Sequence, residues 1–443
     1  MQTILLAGAG KSSTYLIHYL LTNAVRNKWK IIIADANVHA ITEKIGHTSY
    51  CEAVELDINN AEKREMLVNR ADMVISLMPP HLHILLAKDC LKYKKHIITS
   101  SYISDEMKAM DKEAKEAGLM FMCEMGLDPG IDHMTANKII HSIQRVAGTI
   151  TSFKSYCGGL IAPESDDNPW HYKFTWNPKN VVVAGFGGAK YLAHGKSVEV
   201  PYERMFENNK KIKVDDMGMF AYYPNRDSFR YLELYEVPEI KSFMRATLRN
   251  PMFLKGWQAL VNLGLTNQKD VIDTQKMTYA SWLRLKTGCP ENFSLIKHVA
   301  RVLEIAEDDK VISMIKWLGL FNDTIINAGK FSSADILLTV LLEKWEMKPN
   351  DIDMVIMQHE LEYQHKGGKV KMSSTMVIKG ENREFSAMAK TVGLPIGVLA
   401  KLVLNKKIVP PVGVCIPNMP AVYRPVLTEL AHFGIVFKDD VVG

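Results

Sequence analysis

The stretch Thr3-Ile4-Leu5-Leu6-Ala7 followed by Gly8-Ala9-Gly10-Lys11-Ser12-Ser13 constrains this chain more than any other. Five apolar residues predict a buried strand, and Tyr15 to Thr22 carries helical periodicity. Between them lies a glycine loop in the strand–loop–helix context of a dinucleotide fingerprint. Gly8 permits the tight turn, and Gly10 lets the backbone approach a pyrophosphate resting on the helix N-terminus opened by Lys11 and Ser12. The third fingerprint position is Ser13 rather than glycine, small enough for close helix–strand packing.

The rest of a doubly wound unit follows. Lys30 to Ala34 is a second apolar strand ending in Asp35. An acid there can accept hydrogen bonds from the adenosine ribose hydroxyls and repels a 2′-phosphate. No arginine follows, only Ala36-Asn37, so this strand end predicts NAD over NADP. Further strands are expected over Ala53 to Asp57, Met73 to Leu77, His96 to Thr99 and Leu119 to Cys123. Helices are expected over Ala61 to Asn69, His83 to Tyr93 and Asp105 to Ala117. Six strands alternating with helices predict a parallel α/β sheet. In such a sheet Asp57 and Ile58 would lie near the adenine. Ser76, Leu77 and Pro79, with Ser100, would line the nicotinamide side at strand carboxyl ends.

The decapeptide Glu124-Met125-Gly126-Leu127-Asp128-Pro129-Gly130-Ile131-Asp132-His133 joins the last of these strands to a helix expected over Thr135 to Val146, with Asp132 as its N-cap. It reads either as an ordinary strand-to-helix loop or as a ligand loop. Two decoys are set aside. His81 and His83 do not share a helix face, so a metal is not indicated. Val181 to Gly188 imitates a second nucleotide loop but lacks the acid-ended strand, and is read as close packing through small residues.

Composition narrows the classes. At 443 residues two or three domains are expected. A net charge of +5 without a dense Lys/Arg stripe gives no argument for nucleic acid. The cysteines at 51, 90, 123, 157, 289 and 415 include no Cys-x-x-Cys pair, so neither zinc nor a disulfide framework is indicated. No signal peptide opens the chain, and its apolar runs read as too short to span a bilayer. A reducing, cytoplasmic compartment is expected. Lys210 to Asp216 reads as a solvated loop. Past Val146 the alternation stops, and Ile150 to Tyr156 alternates with period two. Asn168 to Trp176, Tyr223 to Ser228 and Arg245 to Arg249 concentrate Asn, Pro, Gly, Trp and Arg, which suits binding loops. Arginines there suit capture of carboxylates. Lys255 to Val340 reads as helical, whereas Asp353 to Gln358 and Lys369 to Ile378 return to β pattern.

Taken together, these strings resemble saccharopine dehydrogenase of the L-glutamate-forming type. The matching pieces are Gly8-x-Gly10, Val74 to Leu77, Thr99 to Ser104, Gly126 to His133, Ser155 to Leu160, Tyr172 to Phe174, Tyr223 to Ser228, Thr247 to Arg249, Trp317 to Phe321 and Met388 to Gly393. The resemblance implies a Rossmann-type domain (1–125), an α/β substrate and dimerisation domain (126–254 and 350–384), a helical insertion (255–349), and a C-terminal segment (385–443) returning to the first domain. It implies an oxidoreductase of lysine metabolism. Saccharopine would be interconverted with glutamate and 2-aminoadipate 6-semialdehyde through an imine, by a homodimer. Ser101, Tyr102, Asp128, Arg226, Thr247, Leu248 and Arg249 would bind substrate. Asp128, Tyr102 and Cys157 are its candidates for handling protons, and Cys157 reads equally as a buried structural thiol. Ala9, Leu127 and Asp128 would join the cofactor contacts. Two features depart from the family's pattern: Ser13, and the missing arginine after Asp35, which looks more like the NAD-using half of bifunctional lysine-degrading enzymes. No reductase half precedes it, which predicts a stand-alone enzyme. The alternatives are an enzyme acting on a carboxynorspermidine-like conjugate and a nucleotide sensor without turnover.

Overall fold

The computed structural model describes residues 1–46, 48–207 and 210–442. The chain divides into two compact units. One comprises Met1–Ile150, Leu234–Glu236 and Tyr363–Gly443; the other comprises Thr151–Glu233 and Val237–Glu362.

The first unit is built on a seven-stranded parallel sheet. Its sequential strands are β1 (Gln2–Ala7), β2 (Trp29–Asp35), β3 (Cys51–Glu55), β4 (Met73–Ser76), β5 (His96–Thr99) and β6 (Met120–Met122). The seventh, Gly413–Cys415, arrives from the far end of the chain and pairs with β6. Across the sheet the order is Gly413–Cys415, β6, β5, β4, β1, β2, β3. Strands covered on both faces read as continuous apolar runs, and Ile31, Ile32, Ile33, Met73, Val74 and Ile75 are all fully buried. The strand order reverses between β1 and β4, which opens a crevice at their carboxyl ends.

Helix α1 (Thr14–Asn27) follows β1, and α2 (Val38–Ile45) follows β2. The helix Ala387–Leu404 packs on α1 through glycine. A Cβ on Gly393 would lie 3.0 Å from Leu16 N, and one on Gly397 would lie 2.7 Å from Tyr19 Cδ1. This helix corrects the expectation that no apolar run is long enough for a bilayer. By length and composition it qualifies, with a mean hydropathy of 1.6, but 78% of it is buried in the protein. It is a core helix. The expected helix after the decapeptide begins earlier, at Ile131, and runs to Arg145. Its N-cap is Gly130, not Asp132. Asp132 instead lies in the first turn, and its Oδ1 accepts the Gly130 N–H at 2.6 Å.

The second unit holds a mixed sheet. The Thr149–Ile161 strand pairs in parallel with Ser242–Arg249, which places Cys157 opposite Thr247. Gly218–Pro224 adds antiparallel to Ser242–Arg249, and Lys211–Val214 adds beyond it. That last strand corrects the solvated-loop expectation for Lys210 to Asp216. The lysines face water while Ile212 and Val214 alternate into the core, a period-two signal that the charge count obscured. Helices cover this unit: Pro251–Asn262, Tyr279–Thr287, Leu295–Val302, Lys310–Trp317 and Ser333–Lys344. A short ribbon, Ile272–Asp273 with Lys330–Phe331, interrupts them. Their core gathers Trp170, Tyr172, Phe174, Phe253, Trp257 and Trp345. The aromatics of Asn168 to Trp176 are therefore chiefly packing rather than a binding loop. Lys173 is buried with them, paired to Asp351 at 2.7 Å. The Val181 to Gly188 decoy ends a short helix, Pro178–Val182.

Candidate active site

In the first unit the glycine loop meets both demands of a dinucleotide. Gly8 has φ +102°, and a Cβ there would lie 3.0 Å from the Leu77 carbonyl. Only glycine fits that approach between β1 and β4. At Gly10 nothing lies within 4 Å of where a Cβ would sit, so the loop is open where phosphate would approach. Asp35 holds the loop from one side. Its Oδ2 accepts the Ala9 N–H at 2.7 Å, and its Oδ1 accepts the Asn37 N–H at 2.9 Å. Lys44 of α2 holds it from the other, with Nζ donating to the carbonyls of Ala9 and Gly10, each at 2.7 Å, and reaching Ser13 Oγ at 3.0 Å. Burial lowers the Lys44 pKa, and the nearby carboxylates of Glu384, Asp35 and Glu43 oppose that shift.

The other strand ends are engaged in different ways. Ser76 is buried at the end of β4, and its Oγ meets His83 Nδ1 at 2.7 Å; His83 Nε2 meets Ser101 Oγ at 2.8 Å. Burial pushes the His83 pKa down to about 4. The neutral ring offers one donor and one acceptor, which suits its two hydroxyl partners. His83 is thus a bridge between strand ends. Asp57 is exposed and receives the Asn59 N–H at 2.9 Å, while Ile58 is buried. Pro79 is exposed, Leu77 and Ser100 are half-buried, and Leu127 is buried.

The turn after β6 is closed upon itself. Gly126 N–H donates to Pro129 O, Ile131 N–H to Gly126 O, and Asp132 N–H to Leu127 O. The Asp128–Pro129 bond is cis. Of all residues from Phe121 to Asn137, Asp128 alone is not buried. Its Oδ1 accepts the Tyr102 hydroxyl at 3.1 Å. Behind it lies a buried chain that sequence reasoning missed. Glu124 takes the Ile103 N–H through Oε1 at 3.1 Å and His133 Nε2 through Oε2 at 2.8 Å; His133 Nδ1 meets the Tyr235 hydroxyl at 2.7 Å. Glu124 adopts φ +55°, a conformation that non-glycine residues hold only when their surroundings enforce it. An acid directly following a five-residue apolar run was the available signal. Lys44 was missed too, because eight residues separate it from Asp35 and no motif connects them.

In the second unit the two expected arginines differ. Arg249 is 3% exposed. Its Nη1 donates to Leu248 O at 2.8 Å, its Nε is buried without a hydrogen-bond partner, and among the described residues no carboxylate pairs with it. The guanidinium lies 5.2 Å from the Tyr172 ring and 5.6 Å from Phe253. A buried cation without a counterion is costly, and an anionic ligand would relieve that cost. Arg226 is exposed in its turn with φ +55°. Thr247 is half-buried, Cys157 is buried, and the Leu248 side chain is in the sheet's apolar core. Arg245, fully buried, lies 4.5 Å from the Tyr231 ring. Among the described residues no group of three or more His, Cys, Asp or Glu could hold a metal ion.

Comparison with known proteins gives consistent matches. Residues 4–122 match the family model described as "Saccharopine dehydrogenase NADP binding domain", and residues 126–435 match "Saccharopine dehydrogenase C-terminal domain". The saccharopine dehydrogenase [NADP(+), L-glutamate-forming] of Schizosaccharomyces pombe is 32% identical, over 100% of this chain and 99% of its own. That of Saccharomyces cerevisiae is 33% identical, over 100% of both. The mitochondrial alpha-aminoadipic semialdehyde synthase of Bos taurus is 33% identical over 98% of this chain, which spans 47% of that protein. The solved apo saccharopine dehydrogenase (L-Glu forming) of Saccharomyces cerevisiae covers 100% of both chains, with a TM-score of 0.88 and 30% identity.

These matches overturn the expectation of NAD over NADP. The matching domain is described as NADP-binding, and the fungal relatives are named for NADP(+). The physical reason is in the loop. Each carboxylate oxygen of Asp35 accepts one backbone N–H, so this acid also latches the turn, and a strand-end acid is not by itself a criterion for the dinucleotide's 2′ position. What the site supports is a nicotinamide dinucleotide.

Proposed function

The chain belongs to the saccharopine dehydrogenase family, and from that premise we propose that it interconverts saccharopine with L-glutamate and 2-aminoadipate 6-semialdehyde, with NADP as its dinucleotide. The observation that carries this reading is the extent of the likeness: it runs through both family-model halves and along the whole of the fungal enzymes. In the oxidative direction, saccharopine, water and the oxidised dinucleotide give glutamate, the semialdehyde, the reduced dinucleotide and a proton.

Hydride acceptance from the carbon beside the secondary amine is the chemistry that a bound dinucleotide would supply. The chain's residues do the rest. The loop Gly8, Ala9, Gly10, Lys11 and Ser12 receives the pyrophosphate at the start of α1. Asp57 and Ile58 border the adenine, and Ser76, Leu77, Pro79, Ser100, Leu127 and Asp128 border the nicotinamide. Arg249 takes a substrate carboxylate, which supplies the anion its buried guanidinium lacks. The resemblance assigns further substrate contacts to Ser101 in the first unit and, separately, to Arg226, Thr247 and Leu248 in the second. Asp128, with Tyr102 donating to it, accepts a proton as water adds to the imine. Cys157, buried in its strand, serves packing rather than proton transfer.

The test is absorbance in the reduced-nicotinamide band with purified protein, saccharopine, and NADP or NAD in separate cuvettes. Saccharopine-dependent growth with NADP is expected, faster than with NAD. No growth with either, together with demonstrable dinucleotide binding, would contradict the substrate assignment.

A further inference from the structure

We propose that Lys44 is a positioning residue for the phosphate-binding loop, holding the carbonyls of Ala9 and Gly10 on one side so that the N–H groups beyond them face the dinucleotide's pyrophosphate. The inference rests on the dinucleotide reading above. In a trans peptide the C=O and N–H point in opposite directions. One ammonium group drawing in the carbonyls of Ala9 and Gly10, both at 2.7 Å, therefore turns the N–H groups of Gly10 and Lys11 the other way. Asp35 fixes the other end of the same segment by accepting the Ala9 N–H. The third contact, to Ser13 Oγ at 3.0 Å, ties the loop to the residue that opens α1. Ser13 Oγ in turn donates to Gly10 O at 2.8 Å, which closes the network. The open space at Gly10 is where a rigid row of N–H groups would meet phosphate.

The cost of the arrangement supports a functional role. Lys44 is a half-buried ammonium whose pKa burial lowers, although an exposed course for a long, flexible side chain is easily had. Its partners are two backbone carbonyls and a hydroxyl rather than a carboxylate, so the contacts orient a loop more than they neutralise a charge. They also leave the cation's charge beside the loop that would receive an anion.

The experiment uses two probes that share a pyrophosphate and differ only at the ribose: ADP-ribose and 2′-phospho-ADP-ribose. Their binding to the whole protein is measured by calorimetry for the native chain, K44M and K44R, with thermal melting as the check on folding. K44M is expected to weaken both probes by about the same factor, roughly tenfold, the scale of one charge-assisted hydrogen bond. K44R, which can still reach two carbonyls, restores most of the affinity. If K44M does not fold, K44Q, whose shorter side chain stops short of the two carbonyls, carries the same expected loss. Unchanged affinity for both probes would overturn the proposal. So would weakening confined to the 2′-phosphorylated probe, which would make Lys44 a direct reader of that phosphate. Failure of the NADP reading appears separately, as equal affinity of the native chain for the two probes.

Discussion

At the end of β1, Gly10 has nothing within 4 Å of where a Cβ would sit; after β6, a Cβ on Gly130 would lie 2.1 Å from Gly126 O. Both glycines belong to strand–turn–helix junctions in the same sheet. The first junction is braced from outside, by Asp35 and Lys44, and keeps its concave side open. The second is folded through its own middle, with hydrogen bonds joining Gly126, Leu127, Pro129 and Ile131, and only Asp128, half-buried, is left incompletely covered. A glycine can thus be required by a ligand or by the chain itself, and the space around the absent Cβ tells the two apart.

Substitutions sharpen that contrast, and the largest effect is expected at the closed junction. Gly130→Ala must accommodate both φ +145° and the overlap with Gly126. It should cost at least about 3 kcal/mol of stability in chemical denaturation. A loss below about 1 kcal/mol would mean that the turn yields easily and that its closure has been overstated. The same distinction between engaged and open groups applies to charged side chains. Arg249→Met removes a guanidinium that has no counterion among the described residues. It should lower kcat/KM for saccharopine roughly a hundredfold, about 3 kcal/mol, with little loss of stability. Exposed Arg226, changed to Ala, should lose less. Equal effects at the two would remove burial as the ground for preferring Arg249.

Next in size is the acid response of the first unit. The folded pKa of His83 is near 4, below its ordinary 6.5. Between those values the unfolded chain binds the extra proton, so stability falls as pH drops through this window and is unaffected above it. The loss between pH 7 and pH 5 should be about 2 kcal/mol. In His83→Asn that portion of the pH dependence should vanish; an identical slope would assign the acid response to other groups. The smallest structural effect is expected at the open junction. Gly10→Ala should leave the melting temperature nearly unchanged while weakening dinucleotide binding about tenfold. A large loss of stability would show that the junction is closed after all.

The first unit was legible because its signals are local. Apolar runs became strands within a residue or two of their expected ends, Asp35 closed β2, and the glycine loop took its place at the reversal of strand order. What stayed hidden depends on contacts distant in sequence. The resemblance, not any local signal, assigns residues 385–443 to the first domain, and the individual elements there, the seventh strand Gly413–Cys415 and the covering helix Ala387–Leu404, come from the fold. Lys44 carries no motif, and Glu124 and His133, though both lie in the decapeptide, are joined to each other and to Tyr235 only by the fold. The cofactor expectation failed because a strand-end acid without a following arginine does not by itself decide between NAD and NADP, as the relatives named for NADP(+) show. Asp35 was correctly placed at the strand end, but its partners, Ala9 and Asn37 N–H, cannot be read from residue type. In the second unit, aromatic residues among Asn168 to Trp176 suggested binding, but with Trp170 and Tyr172 fully buried their area serves the core. Lys210 to Asp216 shows the converse, a strand concealed beneath its charge.

The most direct test of the central claim is a product ratio. Purified protein is incubated with saccharopine and NADP, and glutamate released is measured against reduced dinucleotide formed. The proposed reaction predicts one glutamate for each reduced dinucleotide, through the whole time course and in proportion to enzyme. Reduced dinucleotide without glutamate, or no reaction from protein that binds NADP, would contradict it.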